Sequence, residues 1–338
     1  MKKTLVAVAA LAAVTGAMAQ ATISGFIDSA YTTNKATTSA GVTTTTTSLA
    51  SSGSGQSQIT FATSEDLGGG LKAFANLRIV PGPYAGTIGS DASEVGLSGD
   101  FGTFQLGRDY SIDHGVLGAA DASGYTGGSK GVVNNGNGGA TGNAVVYVLP
   151  KMIPGVGIIF AKGVAGVAGG YGDSTNYKIT YDTGGLSLQY AAGSASTAAV
   201  TNGQLTNFTI GGTTATYAAV TAGSKTNQTA LSVTYDLGMA KLHYGTFSSK
   251  NSTDTDLKNS SNMVGVSIPF GATTVGITSS SAKRDSLTAV STKASGYRGK
   301  VSHALSKRTT AYAAYGTESV DNGTAQDKQT AFGLTHSF

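Results

Sequence analysis

Cysteine and tryptophan are absent from this chain, and proline occurs five times in 338 residues. Without cysteine, neither a disulfide nor a thiolate metal site can hold the chain together. Charge is scarce too. Asp, Glu, Lys and Arg make up 12% of residues, against about 25% in a typical soluble domain. The formal net charge is only +4 and no basic run accompanies it, which argues against nucleic-acid binding. Past the N-terminal segment there is no stretch of about 18 consecutive apolar residues, so helical membrane spans are excluded. The Ala-, Leu- and Glu-rich stretches of long helices are missing as well. Four histidines (His114, His243, His303 and His336) are scattered without paired metal-ligand spacing. Ser, His and Asp all occur, but a catalytic triad is recognised by geometry rather than abundance. The Gly-rich stretch 127–142 lacks the strand–Gly–helix context and lysine of a phosphate-binding loop. The composition therefore predicts neither an enzyme nor a cofactor.

What is present is clearest at the two ends. Met1-Lys2-Lys3 is followed by an apolar, Ala-rich run from Thr4 to Gly16 and by Ala17-Met18-Ala19. That pattern predicts a signal peptide over 1–19, with the mature chain starting at Gln20. At the other end Phe332, Leu334, His336 and Phe338 share one parity, while Ala331, Gly333, Thr335 and Ser337 share the other. This is a period-two strand with one apolar face. A strand that ends on an aromatic residue suits a closed barrel, whose last strand must pair with its first.

The same alternation recurs inside the chain. Tyr177, Ile179 and Tyr181 alternate with Lys178, Thr180 and Asp182; Leu231, Val233 and Tyr235 alternate with Ser232, Thr234 and Asp236. Val264, Val266, Ile268 and Phe270 repeat the pattern, whereas the facing of Val145–Leu149 and Thr309–Tyr315 stays open. Such segments run to about ten residues, the length a tilted strand needs to cross a membrane. Short Gly- or Pro-marked turns are predicted at Glu65–Gly69, Ser98–Gly102, Pro150–Pro154, Tyr181–Gly185, Tyr235–Gly238, Pro269–Gly271 and Ala304–Arg308. Longer polar stretches lie between them, among them Thr33–Gly55, Tyr110–Gly142 and Ala195–Asn227, and the Thr43–Thr47 run reads as a solvated loop. Seven short turns and eight longer loops predict an all-β fold, a 16-stranded antiparallel transmembrane barrel spanning 20–338.

Several motifs resemble, in order, those of the general porins of Gram-negative bacteria, especially the β-proteobacterial group. They are Ala21–Asp28, Glu65–Ala73, Val95–Arg108, Leu305–Thr309 and the closing His336-Ser337-Phe338. The resemblance implies a homotrimer of barrels in outer-membrane lipid, each around a water-filled pore for small hydrophilic solutes and ions. It also implies that the third outer loop, about 110–142 here, folds inward to a constriction where acids face arginines. That loop carries Asp113, Asp121 and Lys130, and Arg108 matches the fifth-strand arginine of the family's wall. Parity groups Arg108 with Phe104 and Leu106, which should face lipid. Turning it inward requires a bulge near Gly107, and a charge facing lipid at mid-depth costs about 2–4 kcal/mol.

The chain also departs from the family. Ser57-Gln58 stands where a Ser-Arg pair is usual, Asp91 where an arginine precedes Val-Gly-Leu, and Arg78 where glutamate is common. Strong anion selectivity is therefore not carried over. The expected constriction comprises Arg108, Asp113, Asp121 and Arg78. Taking the polar parity as lumenal adds Lys72, Lys178, Lys241, His243, Arg298 and Lys300 against Asp28, Glu94, Asp182 and Asp236. That balance predicts a weak anion preference or near neutrality. Tyr181, Tyr235, Phe270 and Phe338 are expected in an inner aromatic girdle, with Phe338 also serving barrel assembly. The leading expectation is a passive outer-membrane channel. A substrate-specific channel and, further off, a secreted β-rich adhesin are the alternatives.

Overall fold

The computed structural model describes residues 20–51, 53–82, 87–124, 140–164, 173–196, 207–210, 213–216, 225–251, 258–285, 292–320 and 325–338. The signal-peptide expectation falls outside them, as do Lys130 and most of the second half of the expected constriction loop. The strands are β1 (Gln20–Thr37), β2 (Thr43–Ala50), β3 (Gln58–Gly68), β4 (Leu71–Gly82), β5 (Thr87–Gly99) and β6 (Gly102–Tyr110). A helix α1 (Ile112–Ala119) precedes β7 (Ala140–Val148), β8 (Val156–Gly163), β9 (Ser174–Thr183) and β10 (Leu186–Ser196). Two short strands, β11 (Asn207–Ile210) and β12 (Thr213–Thr216), pair with each other and, among the described residues, with no other strand. The rest are β13 (Lys225–Asp236), β14 (Lys241–Asn251), β15 (Lys258–Phe270), β16 (Thr273–Asp285), β17 (Thr292–Ala304), β18 (Thr309–Val320) and β19 (Gln326–Ser337).

All sheet pairings are antiparallel, and β19 returns to β1 in register from Phe26↔Ser337 to Thr37↔Gln326. Phe338 extends that seam: its N–H donates to Gly25 O at 3.0 Å and its carbonyl accepts from Gly25 N at 3.2 Å. Closure pairs the first strand of the barrel with the last, so neither is left as an edge in hydrocarbon. β2 pairs with the upper part of β1 and β3 with its lower part, so the two share one position in the wall. The result is a closed 16-stranded barrel.

Its exposure pattern is inverted relative to a soluble protein. Tyr31 (55% exposed), Phe332 (60%), Leu77, Val95, Phe104, Leu106, Ile277 and Leu334 face outward, while Asp28, Ser232, Thr278 and Arg298 on the opposite parity are buried. An apolar outer band with a polar interior is the pattern of a membrane barrel. Tyr181, Tyr235, Phe270 and Phe338 are all exposed beside the turn side of the wall, where interfacial aromatics are favoured. The two ambiguous segments also resolve. Tyr147 pairs with outward Phe104, while Tyr312 and Ala314 are buried and Tyr315 is exposed. Among the described residues no helix is long and apolar enough to cross a membrane.

Turn chemistry explains the short connections. Asp66-Leu67-Gly68 and Asp236-Leu237-Gly238 use the same device. In each, the Asp Oδ1 accepts the glycine N–H two residues on, at 2.9 and 2.8 Å. The glycines take φ of +85° and +80°, a region that L side chains avoid. One expectation is corrected. Thr33–Gly55 is not a long loop, because β1 runs to Thr37, a short turn follows, and the Thr run forms β2. Threonine is β-branched and pairs across strands, and here Thr33 meets Thr47 at 3.4 Å and Thr37 meets Thr43 at 3.0 Å. Among the described residues of this stretch, the turn at 38–42 and residues 51 and 53–57 leave the strand path.

Candidate functional site: a charged lumen and the α1 segment packed on its wall

The short helix α1, absent from the sequence reading, follows β6 and packs far from it. Val116 and Leu117 are buried, and with Ile112 they contact Ala191 on β10, Ala230 on β13 and Phe247 on β14. All three wall residues have the inward parity. Past the helix, Ala119 O lies 3.1 Å from His243 Nδ1, whose Nε2 is 3.1 Å from Ser267 Oγ. Residues 120–123 then run against a trench of glycines. A Cβ at Gly245 would press on Ala120 at 2.5 Å, one at Gly265 on Ala122 at 2.7 Å, and one at Gly276 would strike the Ala122 carbonyl. Three small residues on adjacent strands thus let the loop backbone lie flat on the inner wall.

Asp121 anchors the far end of this crossing. Its Oδ1 accepts from Thr278 Oγ1 at 2.8 Å and from Ser123 Oγ at 2.7 Å, and its Oδ2 is 3.2 Å from Arg298 Nη2. Beyond it, Lys300 Nζ donates to Gly124 O at 2.8 Å. The near end is held by Arg78 on β4, which pairs with Asp109 at 2.9 Å and lies 4.7 Å over the Tyr110 ring. Tyr110 in turn stacks on His114, with centroids 4.4 Å apart.

The remaining predicted residues separate by height and partner. Glu94 accepts from Asn76 Nδ2 at 2.7 Å and from Gln105 Nε2 at 2.9 Å. Lys178 reaches beneath α1, where a Cβ at Gly115 would lie 3.6 Å from its Nζ. Lys241 pairs with Asp236 at 3.6 Å near the turn side, and Lys72, also near a turn, is exposed. Asp113 is buried at the start of α1. Burial pushes its carboxyl up to about 6.

Arg108 is where the sequence reading and the structure part. An irregularity does occur at Gly107 (φ +146°), and the register slips from Gly107↔Ala144 to Asp109↔Thr141. The extra residue, however, belongs to β7, where Asn143 adopts φ +52°, a conformation asparagine tolerates. The alternation of β6 is therefore unbroken. Gln105 and Asp109 point inward, while Arg108 is exposed, pairs with exposed Ser93 and shares the face of Phe104 and Leu106. Asp109, not Arg108, joins Arg78. Simple parity finds it, since Asp109 stands two and four residues from the inward Gly107 and Gln105.

Three further participants carry no local signal: Tyr110, Tyr312 and segment 53–57. Asp28 is fully buried, and its Oδ2 accepts the N–H groups of Ser54 and Gly55 at 2.6 and 2.7 Å while Oδ1 accepts Tyr312 O–H at 2.7 Å.

Comparison with known proteins agrees with this architecture. The Gram-negative porin family profile matches residues 7–323. Outer membrane porin protein 32 of Delftia acidovorans is 30% identical over 297 residues, covering 80% of this chain and 77% of that protein. The structure of an anion-selective porin from Comamonas acidovorans superposes with a TM-score of 0.74 at 23% identity, over 95% of this chain and all of that one. A trimer form of OmpT from Vibrio cholerae gives 0.73 at 13% identity, over 95% and 99% of the two chains. An inverted barrel with ion pairs across its lumen, together with a family match over nearly its whole length, leads to one conclusion: the chain belongs to the Gram-negative porins, passive channels of the outer membrane.

Proposed function

We propose that this porin passes small hydrophilic ions and solutes with a weak anion preference or near neutrality, through a lumen narrowed where residues 111–124 cross it. No catalytic step is involved, and residues 1–19 are removed on export. The observation that carries the selectivity is the pattern of charge pairing. Arg78 is matched by Asp109 and Arg298 by Asp121. Among the described residues, Lys178 and Lys300 have no carboxylate within ion-pair distance. Glu94 and buried Asp28 stand against them, each hydrogen-bonded by neutral groups. Unmatched charges in a narrow passage bias permeation, and salt limits their reach to about 10 Å at 0.1 M. A small net effect follows.

Three copies assemble side by side in this reading. The trimer form of the Vibrio cholerae relative supports it, as does the outward Arg108. Facing lipid at mid-depth, that charge would cost about 2–4 kcal/mol, so a neighbouring subunit is a better cover for this part of the wall than hydrocarbon. Reversal potential across a planar bilayer under a KCl gradient tests the channel reading. Stepwise conductance with a small anion-directed potential supports it. Strong cation preference overturns the selectivity, and silence from folded, inserted protein overturns the channel.

A further inference from the structure

We propose that residues 53–57, in the break between β2 and β3, form a second constriction element facing the α1 segment, with Asp28 and Lys300 as its positioning residues. This rests on the channel reading above and adds a pore-lining segment to it.

The segment reads Gly-Ser-Gly-Gln-Ser and has no apolar side chain to offer lipid. β1 pairs with β2 down to Ala30 and with β3 from Phe26 onward, so Ile27, Asp28 and Ser29 face a gap in the wall on that side. An open gap in a membrane wall would strand backbone amides at several kcal/mol each. Instead the gap is filled from inside. The Asp28 carboxylate takes the N–H groups of Ser54 and Gly55, and Ser57 Oγ takes the N–H of Asp28 at 2.9 Å. Gly53 lies so close to Tyr312 and Ala30 that a Cβ there would collide with both. The break is therefore a built feature seated on the inner wall.

Two further hydrogen-bonded contacts go to the two ends of the α1 segment. At the near end, Tyr110 O–H donates to Gln56 Oε1 at 2.9 Å. At the far end, Lys300 Nζ donates at 2.8 Å both to Ser54 Oγ and to Gly124 O. Residues 54–56 thus join the start and the described end of the loop into a ring around the lumen. On this side the passage is bounded by Ser54, Gly55 and exposed Gln56 rather than by the bare strand β1. Lys300 sets the spacing because one ammonium, with three donors, holds both segments.

The absence of native cysteine allows a direct test. Gln56→Cys and, as a control at the outer end of β2, Thr46→Cys are reconstituted and treated with cationic or anionic methanethiosulfonate reagents. In the Gln56→Cys channel both reagents should lower single-channel conductance. The cationic one should move the reversal potential toward anions and the anionic one toward cations. In the Thr46→Cys channel neither should act. Unchanged conductance and potential in Gln56→Cys protein shown by mass to be modified overturn the proposal. So does a thiol at position 56 that the reagents cannot reach. Lys300→Met should raise conductance and open-channel noise, and Lys300→Arg should restore both. Wild-type values in Lys300→Met would remove Lys300 from the positioning role. Should Lys300→Met fail to fold, the cysteine arm decides alone. Failure of the wild-type protein to conduct would instead strike the channel reading itself.

Discussion

Arg298 on β17 and Asp121 in the α1 loop meet at 3.2 Å, with the arginine side chain only 3% exposed. Thr278 and Ser123 share the carboxylate, so the loop is fixed to the wall opposite its origin by a buried, hydrogen-bonded ion pair. Removing one partner of such a pair leaves a buried charge at a cost of about 3–5 kcal/mol. Asp121→Asn should therefore loosen the far end of the crossing and enlarge the pore. Single-channel conductance checks this, and a wild-type value in a folded variant would show that Asp121 does not hold the loop.

The arginines of the β4–β6 wall should behave oppositely to one another. Arg108 lies outside, so Arg108→Ser should leave the reversal potential unchanged. Arg78→Ser releases the Asp109 carboxylate into the lumen and should move selectivity toward cations. A cation shift in Arg108→Ser would return that side chain to the pore.

Asp113 supplies a pH dependence with a defined sign. Its folded value, about 6, is above the unfolded 3.8. Below the lower value the carboxyl is neutral in both states. Between the two, the folded state holds more protons, and stability falls as pH rises. Above about 6 the full penalty is present, about 3 kcal/mol at most. Docking of α1 should therefore weaken from pH 4 to pH 7 and be insensitive over that range in Asp113→Asn. Hydrogen exchange at 112–119, corrected for the intrinsic rate, reads this directly. Anion preference should also rise on acidification as the Asp113 charge is lost, and a flat selectivity profile would place that charge outside the permeation path.

Phe338 closes the seam through two backbone bonds to Gly25 and an exposed ring in the inner girdle. Deleting it removes both bonds at the point where β1 and β19 meet. The yield of heat-modifiable, folded barrel should fall, and undiminished folding would show that the seam closes without it.

The barrel is legible because its signals are local. Alternation of Phe332 and Leu334 with Ala331 and Gly333 needs only neighbours two apart, and the Asp-Leu-Gly turns encode both the capping side chain and the glycine within three residues. The Thr43–Ala50 strand is not, because polar Thr-rich composition looks like a loop until its partner, β1, is in place. Arg108 shows the opposite error, in which an assumed bulge overrides a parity that the strand in fact keeps.

Sequence alone thus determined the alternating strands, the turn side, the apolar outer face and the family. Closure of the barrel decided which partners the α1 segment and residues 53–57 meet on the wall. Asp28 meets Tyr312 across 284 positions and Thr278 meets Asp121 across 157, and no local pattern selects such partners. Which carboxylate is neutralised, which lysine is left unmatched and where the loop lies depend on side chains converging from opposite walls, and only the folded cylinder sets those distances.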